Sequence, residues 1–214
     1  MKTKYAIFVS LITLFILRSA VFAEDAQSIK LPQPDMQGGK PLMQVLKERK
    51  SSREFGSRQL SLQVLSDMLW AASGINRPDA HRTAPSAMNM QEIDIYVAKA
   101  DGLYLYDIKA HMLILVIPED IRASTGAQPF VKDAPVNLIY VADLSKMSRL
   151  KTEDADFYAA TDTGFISQNV YLYCASAGLV TVVRGSIDKP ALAKVMKLQP
   201  NQKIILAQTV GYPK

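Results

Sequence analysis

The order of hydrophobic patterns along this chain of 214 residues predicts an α+β fold, with helices packed on a mainly antiparallel sheet. Two helical patterns come first, followed by a hairpin and further strands, a long helix, a strand, a helix and a last strand. The turn pair Asp101-Gly102 favours antiparallel pairing of the two strands around it. An almost continuous apolar run over 136–142 is typical of a strand that is buried on both faces.

The first 23 residues are expected to form an export signal. Lys2 and Lys4 precede an apolar run over 7–17, which is shorter than a membrane-spanning helix. Within Val21-Phe22-Ala23, Val21 and Ala23 have the spacing of a cleavage site, so the mature chain would begin at Glu24. An uncleaved anchor is the alternative. After cleavage we expect a periplasmic or secreted protein without a stable membrane span.

The charge of the chain does not indicate a nucleic-acid surface. The formal charge is +5, but the signal contributes three of these charges and no acid, which leaves about +2 for the mature chain. The single cysteine, Cys174, has no partner for an internal disulfide, and two histidines without a cysteine cluster do not make a zinc motif. We therefore predict neither a nucleic-acid partner nor a metal.

The folded domain is expected to cover 41–214, after a polar arm or linker over 24–40 that is rich in proline and glycine. Pro41 suits the first turn of a helix that runs to about Lys50, and Arg49 continues its inner stripe. That stripe contains Leu42, Val45 and Leu46. A second helix begins after Ser61 as N-cap and stops at Gly74.

The later elements follow from the same periodicities. After a loop over 75–91, the sequence predicts strands over 93–97, 103–105, 112–117, 136–142, 180–183 and 203–210. A short helix over 119–125 and a long one over about 156–177 lie between them, and Gly178 stops the long helix. Asp188 caps the last helix, which has Pro190 in its first turn and ends near Leu198.

A cluster of cations and hydroxyl groups follows the first helix. Arg49, Lys50, Ser51, Ser52 and Arg53 could together bind a phosphate, because the planar guanidinium group matches phosphate oxygens. The alternative is that these cations only complement the negative end of a helix. The position of Arg49 on the apolar stripe favours the phosphate site, because an unpaired cation there would be costly.

Two further segments could contact a flat ring. Pro85-Ser86-Ala87 is a bend of small residues that lets the backbone approach closely, and Asn89 can donate and accept hydrogen bonds at a ring edge. An ordinary polar loop is the alternative. At a strand end, Val183, Arg184 and Gly185 offer backbone N–H groups and a cation, although Arg184 could equally be a solvated residue. We expect one cavity to join buried Arg49 and Arg53 to Ser86 and Gly185.

Taken together, these segments resemble the nitroreductase superfamily of flavoproteins, and most closely its azoline-oxidase-like branch. The matching stretches are 49–55, 69–75, 82–87, 102–106, 128–130, 134–135, 168–172, 178–179 and 211–213. They span nearly the whole mature chain in the order of the family.

This resemblance implies a nitroreductase-like fold with one long central helix, an FMN cofactor, and a homodimer with the flavin at the subunit interface. It also implies roles for eleven residues. Arg49, Lys50, Ser51 and Arg53 would meet the phosphate and ribityl end, Pro85, Ser86, Ala87 and Asn89 would line the ring, and Val183, Arg184 and Gly185 would face the other edge. The long helix carrying Gln168 and Asn169 would form the dimer core.

The function implied is that of an exported FMN-dependent oxidoreductase, which transfers two electrons through flavin N5 to or from a small organic substrate. The sequence assigns no catalytic acid or base. The alternative is a flavin- or ligand-binding module of the same fold without turnover. An exported protein meets no cytosolic pool of nicotinamide cofactor, which favours that alternative.

Overall fold

Seven strands form one fully antiparallel sheet in the computed structural model, which describes residues 28–214. In chain order they are β1 (Ser28–Lys30), β2 (Ile93–Lys99), β3 (Gly102–Asp107), β4 (Met112–Ile117), β5 (Val136–Asp143), β6 (Val180–Arg184) and β7 (Gln202–Gly211). Across the sheet their order is β1-β4-β3-β2-β5-β7-β6. The predicted export signal lies outside the described residues.

Four α-helices cover the two faces of this sheet in the described part of the chain. They are α1 (Leu42–Glu48), α2 (Leu62–Ser73), α3 (Thr152–Ala177) and α4 (Lys189–Val195). Single turns of 3-10 helix occur at Ala87–Asn89, Arg122–Thr125, Pro129–Lys132 and Leu144–Met147. Each described helix is too short or too polar to span a bilayer.

β5 connects two apolar cores, because successive side chains of a strand point to opposite faces. Leu138 and Tyr140 belong to the core that contains side chains of α2 and α3. Ile139 and Val141 belong to the core on the other face, which contains Leu192 of α4. The whole of β5 except its last residue is buried, which confirms the prediction of a strand covered on both sides.

Local signals place the helix ends as the sequence predicts. The Ser61 hydroxyl accepts the N–H of Val64 at 3.2 Å, and the Asp188 carboxylate accepts that of Ala191 at 3.1 Å. Gly178 ends α3 with a φ of 70°, a left-handed conformation that glycine adopts without steric cost.

Two features of the amino-terminal region differ from the prediction. The predicted arm contains β1, which pairs with β4 at the sheet edge. The helix α1 ends at Glu48, and only Val45 of its predicted inner stripe is buried. Leu42 is 63% and Leu46 44% exposed, because no other part of the described chain covers that side of α1.

Candidate functional site

The segment 49–53 lies along the free edge of β6. Arg49 follows α1 in a non-helical conformation, and Ser51 pairs in parallel with Thr181 of β6. The backbone N–H of Ser52 donates to the carbonyl oxygen of Thr181 at 3.0 Å. The segment is therefore joined to β6 by a single parallel bridge, and we name it the basic ledge.

Tyr171 of α3 fixes the basic ledge to β6. Its hydroxyl accepts the backbone N–H of Val183 at 3.0 Å and shares a hydrogen bond of 2.8 Å with the Ser51 hydroxyl. The guanidinium carbon of Arg49 lies 5.3 Å from the centre of the Tyr171 ring, within the range of a cation–π contact. The sequence gives no sign of this role, because the contact depends on how α3 packs against β6.

The cations of the basic ledge are less buried than the sequence suggests. Arg49 is half-buried, while Lys50 and Arg53 are exposed, and none of the three forms an ion pair within residues 28–214. Because α1 stops at Glu48, Arg49 and Arg53 do not share one helix face. A cleft of about 410 Å³ adjoins the ledge and is lined by Lys50, Tyr171 and Thr181, among others.

At the end of β6, Arg184 points into the protein. It is 4% exposed, and its guanidinium group donates to Thr209 Oγ1 at 2.9 Å, to the Thr125 carbonyl oxygen at 2.8 Å and to Asn137 Oδ1 at 3.0 Å. Burial lowers the pKa of Arg184 to about 10, so it stays charged at neutral pH.

This placement leaves the Arg184 guanidinium group away from the edge of the ligand that the sequence predicts it to face. The Arg184 side chain is not directed outward, and the backbone N–H of Val183 already donates to Tyr171. Of the three residues predicted there, Gly185 alone is exposed. A ligand at this edge would therefore contact the backbone of Gly185 rather than the guanidinium group of Arg184.

The loop 85–89 lies beside the first half of α3. The backbone N–H of Ala87 donates to Asp162 Oδ2 at 2.8 Å, and the Ser86 hydroxyl accepts the N–H of Gln91 at 3.0 Å. Pro85 and Asn89 are exposed, while Ser86 and Ala87 are half-buried.

The structure keeps this loop apart from the basic ledge within one chain. Asp162, which holds the loop, and Tyr171, which holds the ledge, are nine residues apart on α3, or about 13 Å along its axis and half a turn around it. The cleft beside the ledge and a small cavity beside the loop share no lining residue. One cavity that joins Arg49 and Arg53 to Ser86 and Gly185 would therefore have to include a second subunit, and it stays a prediction.

Two buried acids near the loop were not identified from the sequence. Glu92 is 0% and Asp162 2% exposed, and burial, together with the adjacent Asp162, raises the pKa of Glu92 to about 7. Glu92 comes directly before the alternating residues of β2, where the pattern alone does not indicate a buried carboxyl group.

Comparison with known proteins supports the resemblance. The Nitroreductase family model matches residues 46–212. A protein of Methanocaldococcus jannaschii assigned to the nitroreductases is 31% identical over 185 residues, which are 82% of this chain and 92% of that protein.

Solved structures share the fold. A crystal structure from Ralstonia eutropha, also assigned to the nitroreductases, is 44% identical with a TM-score of 0.84, covering 88% of this chain and 90% of that one. A structure from Desulfovibrio desulfuricans in complex with FMN has a TM-score of 0.60 at 22% identity, covering 81% and 87% of the two chains. The predicted fold, with an antiparallel sheet and one long central helix, is confirmed.

Proposed function

This chain belongs to the nitroreductase family of oxidoreductases, and we propose that it binds FMN and transfers two electrons to or from a small organic substrate. The observation that carries the proposal is the basic ledge, where Arg49, Lys50 and Arg53 lie within five residues without a carboxylate partner in the described chain. Such a group of cations suits the dianionic phosphate of FMN. When bound, FMN supplies the redox chemistry at its N5 atom.

The residues of the ledge fit a phosphate but not a complete flavin. Arg49 is positioned by the ring of Tyr171, Ser51 contributes a hydroxyl group, and Lys50 and Arg53 remain free to turn toward an anion. The ring of the flavin needs a second wall, which the ledge does not provide. The loop with Pro85, Ser86, Ala87 and Asn89 has the small side chains and amide group for that wall, but it lies elsewhere on the same chain.

We propose that a homodimer completes the site, with the flavin between the basic ledge of one subunit and the loop 85–89 of the other. Large apolar side chains exposed on α1 and α3 support a dimer, because such patches on a soluble chain mark interaction surfaces. They are Leu42, Met43, Leu46, Phe157 and Phe165. A second copy of the chain would cover them and bring the two segments together.

Export of the protein is part of the proposal and rests on the amino-terminal sequence. The basic start, the apolar run over 7–17 and the spacing of Val21 and Ala23 suit a cleaved signal. The substrate and the electron donor would then be compounds available in the periplasm or outside the cell. The mass of the protein after expression in a bacterium tests this point, and a chain that keeps residues 1–23 would contradict a cleaved signal.

The decisive experiment titrates the purified protein with FMN and follows the visible spectrum. We expect binding, bleaching by a chemical reductant, and reoxidation by a nitroaromatic or a quinone. FMN binding without reduction of any acceptor would favour the alternative, a flavin-binding module without turnover. A protein that does not bind FMN at all would contradict both.

Arg49→Ala tests the ledge in the same titration. Loss of a charge-assisted hydrogen bond should weaken FMN binding by about 1.5–3 kcal/mol, or roughly 10- to 150-fold in the dissociation constant. Arg149→Ala, which changes an exposed arginine away from the ledge, is the matched control and should bind FMN like the unmodified protein. Equal dissociation constants for the two variants would show that Arg49 does not hold the phosphate.

A further inference from the structure

Glu92 and Asp162 form a pair of carboxyl groups inside the protein, and we name them the acid pair. Both line a small cavity together with Arg82 and Ser86. Asp162 Oδ2 accepts the backbone N–H of Ala87. Neither oxygen of Glu92 has a hydrogen-bond partner within the described part of the chain, although the residue is fully buried.

Two ionised carboxylates in one buried cavity repel each other, and burial disfavours both charges, so one of them retains a proton. The structure indicates Glu92 as its carrier, because Glu92 accepts no hydrogen bond from the surrounding protein, whereas Asp162 accepts the N–H of Ala87. Its pKa is raised to about 7, first by burial and then by Asp162. With the proton in place Glu92 carries no charge, so the repulsion within the acid pair is absent.

Two positively charged side chains near the acid pair favour the loss of its proton. Arg82 approaches from the loop before it, and Lys146 approaches from the 3-10 turn after β5, where it donates to Asp94 Oδ1 at 3.3 Å. Tyr106 of β3 faces Arg82. Both cations favour ionised carboxylates, and Lys146 lowers the pKa of Glu92, but burial and Asp162 outweigh it.

The acid pair cannot contact a substrate directly. Its cavity has a volume of about 10 Å³, which is the size of one water molecule. It reaches the loop through the hydrogen bond that the backbone N–H of Ala87 donates to Asp162. That contact lies at the start of a stretch where Met88, Asn89 and Gln91 have φ angles of 50°, 53° and 51°. Non-glycine residues keep such angles only where the surroundings hold them.

We propose that an uncharged Glu92 carboxyl group leaves Asp162 in its contact with the backbone of Ala87, and that this contact fixes the loop that presents Pro85–Asn89 to the flavin. Glu92 and Asp162 are thus positioning residues rather than catalytic ones. Ionisation of Glu92 in alkaline solution places a second negative charge beside Asp162, and opening of the loop relieves the repulsion. This inference rests on the proposed function for its effect on FMN, but not for its effect on the loop.

The test compares the unmodified protein with Glu92→Gln, Asp162→Ala and the control Asp154→Asn, which changes an exposed acid on the same helix. The first readout is the protection factor of the Ala87 amide in hydrogen exchange, without FMN. Between about pH 6 and about pH 8.5 it should fall roughly tenfold in the unmodified protein and in Asp154→Asn. In Glu92→Gln, whose amide imitates the protonated acid, the Ala87 amide should stay protected at both pH values. In Asp162→Ala it should be unprotected at both.

The second readout is the dissociation constant of FMN over the same pH range. FMN binding by the unmodified protein should weaken about tenfold relative to FMN binding by Glu92→Gln. Because the FMN phosphate titrates equally in both measurements, comparing the two proteins cancels its contribution. Equal pH responses of these two proteins in either readout would overturn the inference. If FMN binds none of the proteins, the proposed function fails, and the Ala87 amide alone decides whether the acid pair fixes the loop.

Discussion

Arg49 and Arg184 are two arginines beside β6 that have different surroundings. Arg184 is buried, and its guanidinium group is satisfied by neutral acceptors on β5, on β7 and at Thr125. Arg49 lies over the Tyr171 ring at the surface and has no carboxylate partner within residues 28–214. A cation without an internal partner is available to a ligand, so Arg49 is the stronger candidate for phosphate binding.

The sequence could not distinguish these two roles. Both residues border hydrophobic segments, and whether a guanidinium group points inward depends on acceptors such as Asn137 and Thr209, which are distant along the chain. Glu92 was missed for the same reason, because its burial comes from α3 and from the loop rather than from its neighbours in sequence.

The raised pKa of Glu92 predicts how the stability of the fold depends on pH. Below its ordinary pKa of 4.5, the group is protonated in both the folded and the unfolded chain. Between 4.5 and about 7 only the folded chain keeps the proton, so the free energy of unfolding should fall as the pH rises, by up to about 3 kcal/mol in total. Glu92→Gln should remove this slope, as urea unfolding across that pH range would show.

Asp154→Asn is the control for this measurement and should retain the slope. A slope that persists unchanged in Glu92→Gln would mean that other groups cause it and that Glu92 is ionised in the folded protein.

At the level of elements, the feature that matters most is the junction between the basic ledge, β6 and α3. Backbone pairing through Ser51 and Thr181 sets the direction of the ledge, and the Tyr171 hydroxyl bonds to both the ledge and β6. The junction positions Arg49 without burying it.

Tyr171→Phe tests this junction while leaving the ring under Arg49 in place. The N–H of Val183 would lose its acceptor, so the free energy of unfolding should fall by about 1–3 kcal/mol. FMN binding should weaken with it, because the ledge is no longer fixed. Chemical unfolding and FMN titration measure the two effects.

Tyr173→Phe, a half-buried tyrosine on the same helix, is the control and should change neither quantity by more than a few tenths of a kcal/mol. If Tyr171→Phe behaves like this control, the hydroxyl does not hold the ledge.

The elements that the sequence predicts well are those with local causes. The caps at Ser61 and Asp188 and the stop at Gly178 depend on a few neighbouring residues, and each lies where the pattern indicates. The strand β1 was missed because its three residues gain their hydrogen bonds from β4, far along the chain. The distance between the loop 85–89 and the ledge likewise depends on the length of α3 and on where each packs against it.

At the level of the whole molecule, two facts point to a second copy of the chain. The apolar residues on α1 and α3 remain exposed, and the ledge and the loop, which both suit a flavin, lie on different sides of α3. A site divided between subunits explains both facts. It also explains why α1 has an apolar stripe that its own chain does not cover.

The most direct test of this account is the binding of FMN to a mixed dimer. One subunit carries Arg49→Ala and the other Pro85→Trp, which blocks the ring side at an exposed position, and two affinity tags allow the mixed dimer to be isolated. Each variant alone should bind FMN poorly. The mixed dimer should regain one site of full affinity, because one ledge and the loop opposite it are both intact. A mixed dimer that binds no better than its parents would contradict a site shared between subunits.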